Sequence, residues 1–167
     1  TARVVLPLEL VLQDEASPTV LNLTMNYGIC ELICIPATVD VHHELLQGSV
    51  EGRALIESAL AEAPLPAVEA GMASITCRLD PNSEKSDMLH AEMSFAQSAP
   101  QQSTVVVEVA SESVWVGQVE VGEGATPSDL RVNAVIGRFS AEPVELDLSA
   151  LRFTLLTASR PLEVLGC

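Results

Sequence analysis

Aromatic side chains are nearly missing from this sequence. Phe, Trp and Tyr make up 3% of its 167 residues, against 48% hydrophobic residues overall. A core must therefore be built mostly from Val, Leu and Ala. Positive charge is equally scarce: eight Lys plus Arg face 23 Asp plus Glu, a formal net charge of −15. That balance argues against nucleic acid as a partner, whose affinity rests on cationic contacts to phosphates. It argues equally against an anionic membrane surface, while the acidity serves solubility. No apolar run approaches the roughly 20 residues of a membrane span, so no direct membrane insertion is expected. No signal peptide is visible, and an exported chain in its mature form would have lost one. Nucleophile elbow, P-loop and dinucleotide-type glycine motifs are all missing, as is a zinc-type C-x2-C pair. No cofactor is expected.

What the sequence does have is alternation with a period of two, the mark of a half-buried strand. Val4, Leu6, Leu8, Leu10 and Leu12 would share one face of a first strand, followed by a polar turn over 14–18. Leu21, Leu23, Met25 and Tyr27 alternate with Asn22, Thr24 and Asn26. Val39, Val41, His43 and Leu45 alternate with Asp40, His42 and Glu44. Three antiparallel strands account for this pattern.

The texture changes over 48–71. Leu55, Ile56, Ala59 and Leu60 fall at helical spacing among good helix formers, and Pro64 and Pro66 follow. This predicts a short helix over 54–62 inside a connector. Strand patterns then resume: Ala73, Ile75, Cys77 and Leu79; Leu89, Ala91, Met93 and Phe95; a Val-rich run over 104–110 suited to a central strand; and Trp115, Gly117, Val119 and Val121. Leu130, Val132, Ala134 and Ile136 come next, then Leu151, Phe153 and Leu155, and finally Leu162 and Val164. Short strands with turn signals between them predict a β-sandwich.

The candidate chemistry lies in four cysteines, which allow three pairings if all are bridged. Cys30 and Cys34 flank three residues. In one extended strand their Cα atoms would lie roughly 13 Å apart at about 3.3 Å per residue, too far for the 4.4–6.8 Å that a disulfide needs, roughly speaking. A bridge therefore requires a tight turn, for which Gly28 and Pro36 supply backbone punctuation. Such a small ring is either an exchangeable redox pair or a staple pinning the turn. Cys77 lies on the apolar face of its strand and Cys167 is the last residue. The two are either a second redox or metal centre, or a structural bridge closing a long loop. His42 and His43 point to opposite faces and cannot chelate one metal together without distortion; His43 reads as a hydrogen-bonded core histidine and His42 as a solvated one. With Cys30, Cys34, Met25 or His90 they would offer soft ligands for Cu(I).

The string Tyr27-Gly28-Ile29-Cys30-Glu31-Leu32-Ile33-Cys34-Ile35-Pro36, followed by Ala37-Thr38-Val39, resembles the cysteine motif of the N-terminal periplasmic domain of DsbD/ScsB-type thiol:disulfide interchange proteins. The run from Val4 to Leu10 is similar to the strand leading toward that motif, so the likeness covers residues 3–47. It implies immunoglobulin-like sandwich strands carrying a catalytic pair, Cys30 and Cys34. It also implies thioredoxin-like redox partners, a membrane-embedded electron carrier, and the periplasm of a Gram-negative bacterium. Cysteine spacing here is narrower than in the best-known members, so their substrate-contacting residues do not carry over. Strands expected before Val4 are missing, and the chain reads as a fragment.

The expected organisation is all-β. Residues 1–48 form the end of an immunoglobulin-like domain, 49–71 a linker with a short helix, and 72–167 a second β-sandwich. Each cysteine pair then falls within one domain, Cys30 with Cys34 and Cys77 with Cys167 as a structural disulfide. A Gly-Cys near the domain end in proteins of the resembled type supports the second pairing. Two functions follow: a thiol–disulfide exchange module, or a non-catalytic module that binds a partner or copper and whose disulfides are structural.

Overall fold

Alternating residues such as those over 19–45 form strands because one face can be buried while every backbone group finds a ladder partner. The computed structural model describes residues 5–12, 19–30, 34–45, 51–100, 103–140, 142 and 144–167. It is mostly β, and it divides into two units, Thr1–Leu60 and Ala61–Cys167. Among the described residues, no helix is long and apolar enough to cross a membrane.

In the first unit, β1 (Thr19–Cys30) and β2 (Cys34–Leu45) form an antiparallel pair. Helix α1 (Arg53–Ala61) begins at Gly52, whose carbonyl accepts from the backbone N–H groups of Leu55 and Ile56 at 3.0 Å each. Gly52 has a positive φ of 73°, which a residue with a Cβ adopts only under strain. The strand expected over 4–12 does not form over 5–12, where Leu6, Leu8 and Leu10 are all exposed. Alternation shows which residues could share a face, but a strand also needs a neighbour, and among the described residues β1 and β2 pair only with each other. Val4 and the turn expected over 14–18 lie outside the described residues.

The second unit is a sandwich of two four-stranded sheets. One has the order β3-β10-β9-β6, built from β3 (Leu65–Pro66), β6 (Thr104–Glu108), β9 (Arg152–Leu156) and β10 (Leu162–Leu165). The other has the order β4-β5-β8-β7, built from β4 (Met72–Ser83), β5 (Ser86–Phe95), β7 (Val114–Glu123) and β8 (Asp129–Arg138). Among the described residues only β3 and β10 run parallel; every other pairing is antiparallel. Alternate residues of both sheets meet in one core: Leu89, Ala91, Met93 and Phe95 from β5, Leu130, Val132, Ala134 and Ile136 from β8, Phe153 and Leu155 from β9, and Val105 and Val107 from β6. With so few aromatics available, Phe153 is among the largest fully buried side chains. Fully burying such a side chain is worth about 1.5–3 kcal/mol.

Three expectations change here. Residues 65–67 belong to the second sandwich: Leu65 N–H donates to Pro161 O at 2.9 Å, Ala67 N–H donates to Glu163 O at 2.8 Å, and Ala67 is buried. The Val-rich run lies at a sheet edge, because among the described residues β6 pairs only with β9. Its buried Val105 and Val107 alternate with exposed positions, as one covered face requires. Finally, Trp115 and Gly117 do not share the inward face of Val119 and Val121. A bulge between Val116 and Val119 inverts the alternation, so Val116 opposes Ile136 and Val119 opposes Ala134 while Trp115 opposes Gly137 on the outer face.

At one end of the core, the alternation carries Asp87 and Arg138 to the inward side, where they form a largely buried ion pair. Arg138 also donates to Glu84 O at 3.2 Å. At the opposite end of β8, the Asp129 carboxylate accepts from Ser94 Oγ at 2.7 Å, Thr126 Oγ1 at 2.8 Å and Thr126 N–H at 3.0 Å. The Ser94 hydroxyl, followed by Thr126, holds the carboxyl pKa below its ordinary value of 3.8. Because the folded pKa is depressed, this contribution to stability is complete above the unfolded pKa and is lost as pH falls through the folded one. Asp129→Asn should therefore lower stability at pH 7 and flatten its decline below about pH 4. Denaturant melts across that pH range read both effects, and parallel wild-type and variant curves would contradict them.

Candidate functional site

The β1–β2 ladder sets the geometry around Cys30 and Cys34. Its register runs without a shift from Thr19 opposite Leu45 to Cys30 opposite Cys34. One face carries Leu21 opposite His43, Leu23 opposite Val41, Met25 opposite Val39, Tyr27 opposite Ala37 and Ile29 opposite Ile35. The other is tied by side-chain hydrogen bonds. Asn22 Oδ1 lies 2.5 Å from His42 Nδ1, Thr24 Oγ1 donates to Asp40 Oδ1 at 2.6 Å, and Thr38 Oγ1 donates to Asn26 Oδ1 at 2.7 Å. Each such cross-strand pair contributes roughly 0.2–1 kcal/mol to holding the register.

Cys30 and Cys34 form the last pair of this ladder. Opposed residues in antiparallel strands have Cα atoms about 4.5–5.5 Å apart, inside the range of about 4.4–6.8 Å compatible with a disulfide. Residues 31–33 and the side chains of Cys30 and Cys34 lie outside the described part. Gly28 and Pro36, expected as turn residues, oppose each other within the strands. Proline is tolerated there because each strand of a two-stranded ladder has an open edge that needs no N–H donor. Next to the cysteine pair, Ile29 and Ile35 are 60% and 58% exposed, and Tyr27 is also exposed. The end of the hairpin thus carries an apolar flank.

The remaining candidates are separated. His42 is engaged with Asn22, whereas His43 shares the opposite face with Met25. His43, expected as a core histidine, is exposed because a two-stranded ladder encloses no core. Among the described residues no group of three His, Cys, Asp or Glu converges to hold a metal ion. In the second unit, Cys77 on β4 is bonded to Cys167 beyond β10, with Cα atoms 5.6 Å apart. This bridge links the two sheets and is consistent with an oxidising compartment.

A second constellation escaped sequence reasoning. His90 on β5 lies between Asn133 on β8, with Nδ1 2.8 Å from Oδ1, and Asp80 on β4, with Nε2 3.4 Å from Oδ2. Arg78 donates to the same Asp80 oxygen at 2.9 Å. Arg78, His90 and Asn133, with Thr76, Glu92 and Arg131, line an open depression of about 610 Å³ on the outer sheet face. Alternation marks each residue as outward-facing, but only the register of three strands brings them side by side. No family model, curated protein or solved structure matches the chain.

Proposed function

We propose that the chain is a thiol–disulfide exchange module of an exported, periplasmic protein, with Cys30 and Cys34 as the exchanging pair. Its partners are thioredoxin-like proteins and a membrane-embedded electron carrier, as the resemblance of residues 27–39 to DsbD/ScsB-type motifs implies. The observation that carries this reading is the register that sets Cys30 opposite Cys34 as the terminal ladder pair. A bridge there closes a small ring at a hairpin end, and opening it leaves the rest of the ladder in place. A partner thiolate attacks one sulfur, the S–S bond breaks, and the second cysteine leaves as a thiolate. The partner's other thiolate then attacks the mixed disulfide, so the partner is oxidised by two electrons and the pair becomes a dithiol. The exposed Ile29 and Ile35 offer an apolar contact surface beside the reacting pair.

Equilibration of the oxidised protein with graded dithiothreitol mixtures, followed by alkylation and peptide mapping, tests this. The Cys30–Cys34 pair should show a potential more oxidising than about −300 mV, the range of exchanging disulfides. It should also be reduced before Cys77–Cys167. A potential below about −300 mV would mark a staple instead.

A further inference from the structure

Trp115 is the chain's one tryptophan, and it stands on the outer face of the sandwich. Its ring lies across two glycines on neighbouring strands. A Cβ on Gly137 would fall into the ring at Cε2, Cζ2 and Nε1, and one on Gly117 would come within 2.8 Å of Cζ3. These contacts place one face of the indole flat against the sheet. The side chain remains 44% exposed, which leaves the opposite face open to solvent. Phe139, two residues beyond Gly137, is exposed as well, and its N–H donates to Ser113 O at 3.2 Å. Trp115 and Phe139 are thus both exposed near the same end of the β7–β8 ladder.

Charge selects what such a platform would take. The face of an indole is the negative part of its quadrupole and attracts cations. The whole chain, at −15, draws cationic species toward its surface. Nearby, the turn of Glu84 and Lys85 is held against β8, since Arg138 N–H donates to Lys85 O at 2.8 Å. Glu112 precedes β7 by two residues. Neither Glu84 nor Glu112 forms an ion pair among the described residues. We propose that this face binds an arginine or lysine side chain of a basic polypeptide partner, stacked on Trp115, with Glu84 and Glu112 in the segments at the same end of the sheet adding electrostatic attraction. The site lies apart from the cysteine hairpin in sequence and does not depend on thiol chemistry.

With a single tryptophan, the full chain carries its own reporter. A short oligoarginine peptide should produce a saturable change in Trp115 fluorescence that weakens as salt is added, whereas a neutral Gly-Ser peptide of equal length should not. Anisotropy of the labelled oligoarginine should show about fivefold weaker binding to Trp115→Leu, the scale of a cation–π contact. Because that substitution uncovers Gly137, Glu84→Gln combined with Glu112→Gln tests the same face without altering packing. It should weaken binding about twofold or more. Unchanged affinity in either variant, or an equal response to the neutral peptide, would overturn the proposal and leave only diffuse attraction to an acidic surface.

Discussion

Replacing Cys77 and Cys167 together with alanine should lower the stability of the second unit by several kcal/mol. The bridge joins β4 of one sheet to the residue that follows β10 of the other across a sequence separation of 90. Closing a loop of that length stabilises by about 4–5 kcal/mol in the chain-entropy model. That is a large share of the roughly 5–15 kcal/mol that holds a typical domain together. The chain end is shaped for the bond. Gly166 has a φ of 70°, and its N–H donates to Leu151 O at 2.7 Å. A Cβ at Gly166 would meet Ser149 O at 2.6 Å. Since β4 is an edge strand, its loss of tether should be felt first along the β4–β5 ladder. Thermal melts of the wild type and the variant should differ by on the order of 15 °C or more. A difference corresponding to less than about 1 kcal/mol would show that the core alone supports the sandwich.

Replacing Cys30 and Cys34 together with serine should have the opposite profile: exchange with a thioredoxin-like partner is abolished while the melting of the second unit stays in place. The ring closed at the hairpin end is small, and the chain-entropy model assigns a five-residue ring about 2 kcal/mol. That contribution is confined to the first unit. There the twelve-residue strands remain tied by the Asn22–His42, Thr24–Asp40 and Asn26–Thr38 pairs. Local opening of such an end costs far less than unfolding a sandwich. The second unit should therefore melt within about 2 °C of the wild type, given about 4–8 °C per kcal/mol for a domain of this size. Insulin or glutathione-coupled exchange reports the redox loss. If the double variant unfolds globally and the wild type never exchanges, Cys30–Cys34 is a staple and the proposed function falls.

Much of the fold was legible because alternation is a local signal. Leu89 to Phe95 and Leu130 to Ile136 bury the alternate residues that a period-two reading selects. Helix α1 lies close to the run of good helix formers before Pro64 and Pro66. The failures have physical causes. The leucines over 6–12 alternate as well as any strand, but among the described residues no strand pairs with residues 5–12. Trp115 alternates in phase with Val119 in the sequence, and a two-residue bulge throws it to the other face. The Val-rich run lies at an edge because sheet order depends on contacts far along the chain.

The sequence alone determined the acidity, the scarcity of aromatics, the all-β class, and that a bridge between Cys30 and Cys34 requires a tight turn. All of these follow from composition and from patterns a few residues long. The tertiary structure decided what depends on pairing across the chain. It set Cys30 against Cys34 at the end of an unshifted ladder, and it gathered Asp80, His90 and Asn133 from three strands. It also laid Trp115 over glycines of two strands. Strand register and bulges are settled by which faces can be buried and which backbone groups can be paired together, and that is a property of the assembled sheets.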